Sequence, residues 1–194
     1  QQVLIFHPGG YRDVVTAPGA NKRDSYESQA TFLESVCLPL LDVGLQPVVK
    51  VHPWRARYHD LEDLRIITAD LERRRGLKVG SIQLIGPREW YWDCAIRSAF
   101  ILSFGSSSLY ELWGAGIHKV YVCHFSGTIR SGLFEFFDSI FIKSHAAYRD
   151  FLENARYLNR KHDDFTKSIM TSYSDLFDGK ACKKAYDLIV GELG

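Results

Sequence analysis

The stretch AFILSFGSSSLYELWGAGIHKVYVC, residues Ala99 to Cys123, decides the fold. Its first run, Ala99 to Phe104, has the continuous apolar character of a buried parallel strand. Leu109 to Ala115 reads as a helix, and His118 to Cys123 as the next strand. Strand, helix and strand in that order make a βαβ unit, the connection that parallel neighbours require.

The same alternation extends upstream and downstream. Val3 to Phe6 is a short β-rich run closed by a Pro-Gly-Gly turn. Asp24 to Val43 carries a helical apolar stripe through Phe32, Leu33, Val36, Cys37 and Leu40. Pro39 is expected to bend its last turn, and Gly44 to cap it. Pro47 to Val51 is a second strand. Leu61 to Gly76 is a charged helix, and its LERRRG end reads as a solvated face rather than a phosphate patch, because nothing orients the arginines. Ser81 to Ile85 is a third strand, Arg88 to Ser98 a helix, and Ser139 to Ile142 a further strand. From Ala146 onward the segments are helical. The expectation is a single α/β domain over residues 1–194. It would be a Rossmann-like, doubly wound parallel sheet of about six strands with C-terminal helices.

A chain of 194 residues can bury one substantial core. With 46% hydrophobic and 24% charged residues, the composition excludes a disordered chain. A net charge of +1 supplies no basic field for nucleic acid or an anionic membrane, so any bound anion must be held locally. Cys37, Cys94, Cys123 and Cys182 are widely spaced without a CxxC pair. That argues against a zinc knuckle or a disulfide framework and fits a reducing compartment. No apolar run reaches the roughly 20 residues of a membrane span, and no signal-like segment stands at the front. The absence of an initial methionine before Gln1 suggests a piece of something longer. A cytoplasmic location is expected, with a peripheral position at the inner membrane face as its variant.

In such sheets ligands sit beyond the carboxyl ends of the strands. After the Ala99–Phe104 run come Gly105, Ser106, Ser107 and Ser108, then the helix. Glycine permits close approach, small hydroxyls add donors, and a helix start leaves N–H groups without partners, which together suit a phosphate. The simpler alternative is an N-cap serine, with Glu111 completing a capping box from Ser108; it leaves the other hydroxyls without a role. After the second strand comes His52-Pro53, where the histidine can donate to a phosphate or serve structure alone. After the first strand, Gly9 and Gly10 permit a tight turn or backbone contact with a ligand. Arg12 is a phosphate partner there and Asp13 its orienter, unless the two form a plain surface ion pair. Cys123-His124 has no companion ligands at metal spacing, so no metal is assigned.

A strand ending in PGGYRD, a strand ending in KVHP, and a strand–SSS–helix–GAG unit, in that order, resemble the C-terminal donor domain of GT-B glycosyltransferases. The similarity is to CDP-glycerol glycerophosphotransferases and to capsule and lipopolysaccharide transferases that use CMP-linked sugars of the Kdo or sialic acid type. It covers about Leu4 to Cys123. By resemblance, His52 with Ser106, Ser107 and Ser108 would hold the donor phosphate, and Glu111 would meet the ribose hydroxyls. REWYWD, Arg88 to Asp93, stands where such domains contact the base, or else packs its aromatics on the sheet. SGTIRSG, Ser126 to Gly132, is a loop that either faces the sugars or is simply a loop. The glycerophosphotransferases carry a Pro-Thr turn before their Arg-Asp and an acidic residue where this chain has Gly105, so their substrate is not carried over.

The resemblance implies a metal-independent glycosyltransferase half without a resident cofactor. It would move a sugar from a CMP-activated donor to a surface polysaccharide or lipopolysaccharide acceptor. His52 would stabilise the leaving phosphate, and the general base would come from an N-terminal GT-B domain outside this chain. The isolated chain is then expected to bind a nucleotide and turn over nothing. The partners are the nucleotide sugar, the carbohydrate or glycolipid acceptor and that domain, with no nucleic acid. The competing readings are a UDP-sugar or CDP-glycerol transferase, a sugar-nucleotide epimerase, or a non-catalytic Rossmann-like interaction module.

Overall fold

Parallel strands cannot be joined by tight turns, so each connection must cross a face of the sheet, and it does so right-handedly. That rule organises the computed structural model, which describes residues 1–7, 22–51, 60–104, 106, 108–117, 119–123, 125 and 141–154. The strands are β1 (Gln2–Phe6), β2 (Gln46–Lys50), β3 (Gln83–Ile85), β4 (Ile101–Ser103), β5 (Val120–Cys123) and β6 (Phe141–Ile142). The helices are α1 (Lys22–Asp42), α2 (Asp60–Arg74), α3 (Trp92–Arg97), α4 (Ser108–Gly114) and α5 (His145–Asn154). All six strands form one sheet in the order β3-β2-β1-β4-β5-β6, and every neighbouring pair is parallel. The expected doubly wound α/β sheet is present.

From β1 the chain builds outward through β2 to β3, then returns to the other side of β1 and builds the opposite way. With handedness fixed, that reversal moves the connecting helices from one face to the other. Side-chain alternation along the strands follows suit. Val3 and Ile5 face a core shared with Leu33, Val36 and Leu40 of α1, Leu64, Ile67 and Leu71 of α2, and Tyr148 and Leu152 of α5. Leu4 and Phe6 face the other core, with Cys94 and Ala95 of α3 and Leu109, Leu112 and Trp113 of α4. Because β1 is covered on both sides, Val3, Leu4 and Ile5 are fully buried. Each contributes about 1.5–3 kcal/mol of transfer free energy.

Two polar ties set the outer elements. The Tyr148 hydroxyl donates to the Val36 carbonyl at 2.9 Å, holding α5 on α1. The buried Glu72 carboxylate accepts from the Gly80 and Ile82 N–H groups at 3.1 and 2.9 Å, fixing the turn that launches β3. The LERRRG end is the expected solvated face, with Arg73 and Arg74 paired to Asp70 and Arg74 also to Glu34.

As expected, α1 runs through Pro39, ending at Asp42, and the apolar stripe from Phe32 to Leu40 stays buried across the proline. One expectation changes. The helix expected over Arg88–Ser98 begins only at Trp92. Residues after Pro87 form a turn in which the Glu89 N–H donates to the Gly86 carbonyl at 3.1 Å, and Pro87 itself offers no N–H. The expected strands also shorten at their ends, with β3 starting at Gln83 and β4 at Ile101.

The two described glycines of the opening stretch differ. Gly116 has φ 78°, and the N–H groups of Gly116 and Ile117 donate back to Trp113 and Leu112, both at 2.9 Å, a Schellman closure of α4. Gly114 lies within α4, and a Cβ at either position meets nothing within 4 Å. Backbone preference alone therefore sets the two signs. Gly116→Ala is expected to lower unfolding free energy by about 1–2 kcal/mol. Gly114→Ala should raise it by about 0.5–1 kcal/mol. Urea unfolding of the two variants checks the pair; equal signs would contradict it.

Candidate functional site

The reversal between β1 and β4 leaves a crevice at the carboxyl ends of the strands, because the helices α1 and α4 that follow them lie on opposite faces. Strand register brings Ile85, Lys50, Phe6, Ser103 and Val122 into one row across those ends. Phe6 and Val122 belong to the α3/α4 core, and residue parity puts Lys50 and Ser103 on that same face. Above the row opens a cavity of about 300 Å³. Its floor is Phe6, His7, Lys50 and Val51; Pro87 to Trp92 form one wall, and Ser106, Ser108 and Glu111 the other. That volume is at the lower end of the range for small-molecule pockets.

Lys50 is the last residue of β2 and only 5% exposed. Its Nζ donates to the Gly86 carbonyl at 2.5 Å and to the Pro87 carbonyl at 2.9 Å. Burial pushes its pKa below the ordinary lysine value, while the Glu89 carboxylate pulls it back up. Glu89 folds over Gly86 so closely that a Cβ there would stand 2.7 Å from its Oε1. The glycine, the turn and the lysine therefore shape one wall together.

That wall is aromatic. Tyr91 meets Phe6 edge-on with ring centroids 5.2 Å apart and stacks on Trp92 at 5.7 Å. Trp90 stands out from the rim, 73% exposed, tilted toward Trp92 at 6.4 Å. The Tyr91 hydroxyl donates to Glu111 Oε2 at 3.0 Å, joining the two walls across the cavity. Burial raises the Tyr91 pKa, and the bond to the Glu111 carboxylate raises it further. His7 is buried at the floor, edge-on to Phe32 at 4.8 Å, with its backbone N–H donating to the Lys50 carbonyl at 3.1 Å.

On the serine side, the Ser106 N–H donates to Ser103 Oγ, and Ser106 Oγ accepts from the Ser108 N–H, both at 3.3 Å. The Leu109 N–H donates to the Ser106 carbonyl at 3.3 Å. Ser106 thus serves the start of α4, the role the N-cap alternative gave to one serine. The capping box does not form, because Glu111 takes the Tyr91 hydroxyl instead. The Ser108 side chain also hydrogen-bonds Tyr91, which partly offsets the rise in the Tyr91 pKa.

The structure brings Ser106, Ser108 and Glu111 to one cavity. Gly9, Gly10, Arg12, Asp13, His52, Pro53, Gly105 and Ser107 lie outside the described residues, as does the Ser126–Gly132 loop. Glu89 and Tyr91 belong to the REWYWD stretch, expected to meet either a base or the sheet, whereas Lys50, inside KVHP, has no role in that reading. A signal existed for Lys50, a charge set in the otherwise apolar run PVVKV. Among the described residues no group of three His, Cys, Asp or Glu side chains is placed to hold a metal. No described helix is long and apolar enough to cross a membrane. Burial raises the thiol pKa values of Cys37 and Cys123 well above the usual range, which suits packing rather than nucleophilic chemistry.

The Tyr91–Glu111 bond yields a pH-dependent expectation. Tyr91→Phe should lower unfolding free energy by about 0.5–1.5 kcal/mol near neutrality. A phenol whose pKa is raised by folding contributes stability fully below its unfolded value of 10.0, and loses it as pH climbs through the folded value. The gap between wild type and variant should therefore shrink above that pH. A gap that is constant or widening with pH, followed by urea unfolding, would exclude this account of the bond.

No family model, curated protein or solved structure matches the chain.

Proposed function

We propose that the chain is the donor-binding half of a GT-B glycosyltransferase acting on a CMP-activated sugar, with the crevice at the β1/β4 reversal as its nucleotide site. The observation that carries this reading is the 300 Å³ cavity, where an aromatic wall, two serine hydroxyls and a buried lysine converge at strand ends. Each kind of group has a use with a nucleotide. Aromatic rings suit a base, hydroxyl donors and a cation suit a phosphate, and Glu111 suits ribose hydroxyls. The family resemblance of the motifs after β1, β2 and β4 points to the same ligand class.

In the reaction, an acceptor hydroxyl oxygen bonds to the anomeric carbon as its bond to the nucleotide phosphate breaks. The acceptor proton passes to a base from the companion domain, and the electron pair leaves with the phosphate. His52 and the serines stabilise the growing negative charge, the kind of electrostatic contribution that dominates many enzymatic rate enhancements. The N–H groups of Ser108 and Leu109 are already engaged with Ser106, so this work falls to the serine side-chain hydroxyls.

A thermal-shift panel of CMP, CDP, UMP, UDP and GDP tests the reading. Stabilisation by CMP above the others is expected; preference for UDP favours the UDP-sugar alternative, and no response to any nucleotide favours a non-catalytic module. Ser107→Asp then probes the phosphate position. A carboxylate beside the phosphate should reduce CMP affinity by at least tenfold, about 1.4 kcal/mol, with the melting temperature unchanged or raised. An Asp variant that binds CMP like wild type would end the phosphate assignment.

A further inference from the structure

Lys50 places an ammonium group at the floor of the cavity, 5% exposed and flanked in register by Phe6 and Ile85. An ammonium group has three N–H donors. Two of them go to the carbonyls of Gly86 and Pro87. None of the ion pairs among the described residues involves Lys50. Glu89 acts on it only through its field, and Glu111 is taken by Tyr91. Carbonyl dipoles satisfy hydrogen bonds without neutralising a charge, and the exposed Glu89 carboxylate, outside ion-pair distance, offsets it only in part. A neutral donor would serve equally well to hold two carbonyls. The open space beside Lys50 is where a counter-charge can enter, and Arg88 at the rim adds a second cation.

We propose that Lys50 is a ligand-binding residue: its remaining N–H and its charge receive a phosphate-type anion in the cavity, while its other two N–H groups hold the Gly86–Pro87 turn. The inference rests on the nucleotide reading above and deepens it by giving a role to a buried cation that the KVHP motif contains but leaves without one. One ammonium then couples the two walls. The group that neutralises the anion is also the one that fixes the turn carrying Glu89, Trp90 and Tyr91.

Lys50→Gln separates the two roles, because the amide keeps two N–H donors for the carbonyls and carries no charge. Inorganic pyrophosphate, CMP and cytidine are titrated into wild type, Lys50→Gln and Lys50→Arg by calorimetry. The Gln variant should bind both phosphate probes about ten- to a hundredfold more weakly, the usual loss for a bond to a charged group. Its affinity for cytidine should hold, and Lys50→Arg should recover part of the loss. Unchanged CMP binding by Lys50→Gln overturns the inference and leaves the nucleotide reading standing. Lysine-dependent pyrophosphate binding without CMP binding does the reverse, and wild type that binds neither overturns both. Should Lys50→Gln fail to fold, wild type labelled with ¹³C-lysine decides: the Lys50 Cε resonance, assigned by its loss in Lys50→Arg, must shift on adding pyrophosphate, and an unmoved resonance rejects the proposal.

Discussion

The handedness of crossover connections is the constraint on which the rest of this structure depends. Once β1 sits in the middle of a parallel sheet, chain added through β2 and β3 lays its helices on one face. Chain added through β4 and β5 must lay them on the other. Both cores, the burial of β1 on its two sides and the open crevice beside it follow from that single reversal. The cavity is therefore a place where the fold cannot put a helix.

Within that crevice the polar groups are arranged by the sheet as much as by the loops. Lys50 and Ser103 flank Phe6 because parallel register puts them there, and period-two alternation turns all three to one face. A buried lysine at such a point organises its surroundings strongly, since in a low dielectric each dipole it attracts is held firmly. The turn after β3 is drawn onto the sheet by its carbonyls, and the aromatic residues that follow are delivered to the cavity wall. Tyr91 closes the circuit through Glu111 on α4. Residues distant in sequence thus share one small electrostatic unit.

How much of this was legible in the chain depends on how local its cause is. The alternation of apolar runs with helical stripes gave the parallel α/β class, because burial on two faces leaves a continuous apolar signature in strands such as VLIF and AFILSF. Gly44 was readable as a helix stop, and it closes α1 with φ 76°. The cluster of Ser106, Ser108 and Glu111 was readable because it spans a single turn and helix. The start of α3 was not, since Arg88 to Tyr91 is composed like a helix but its turn is captured by Lys50, distant in sequence. Nor was the strand order, which the pattern of elements leaves open. Lys50 itself looked like one polar residue in a strand, and its meaning depends on where Gly86 and Pro87 come to rest.

The bond from Tyr148 to Val36 joins residues 112 positions apart and lies in the core of one face. During synthesis α1 and α2 leave the ribosome long before α5, so the apolar surface that α5 covers waits exposed while the intervening strands are made. Long-range closure of this kind is slow, and exposed apolar surface in a nascent chain invites association with other chains. The late arrival of α5 leaves the apolar face of α1 that it covers unprotected until residues 145–154 have emerged.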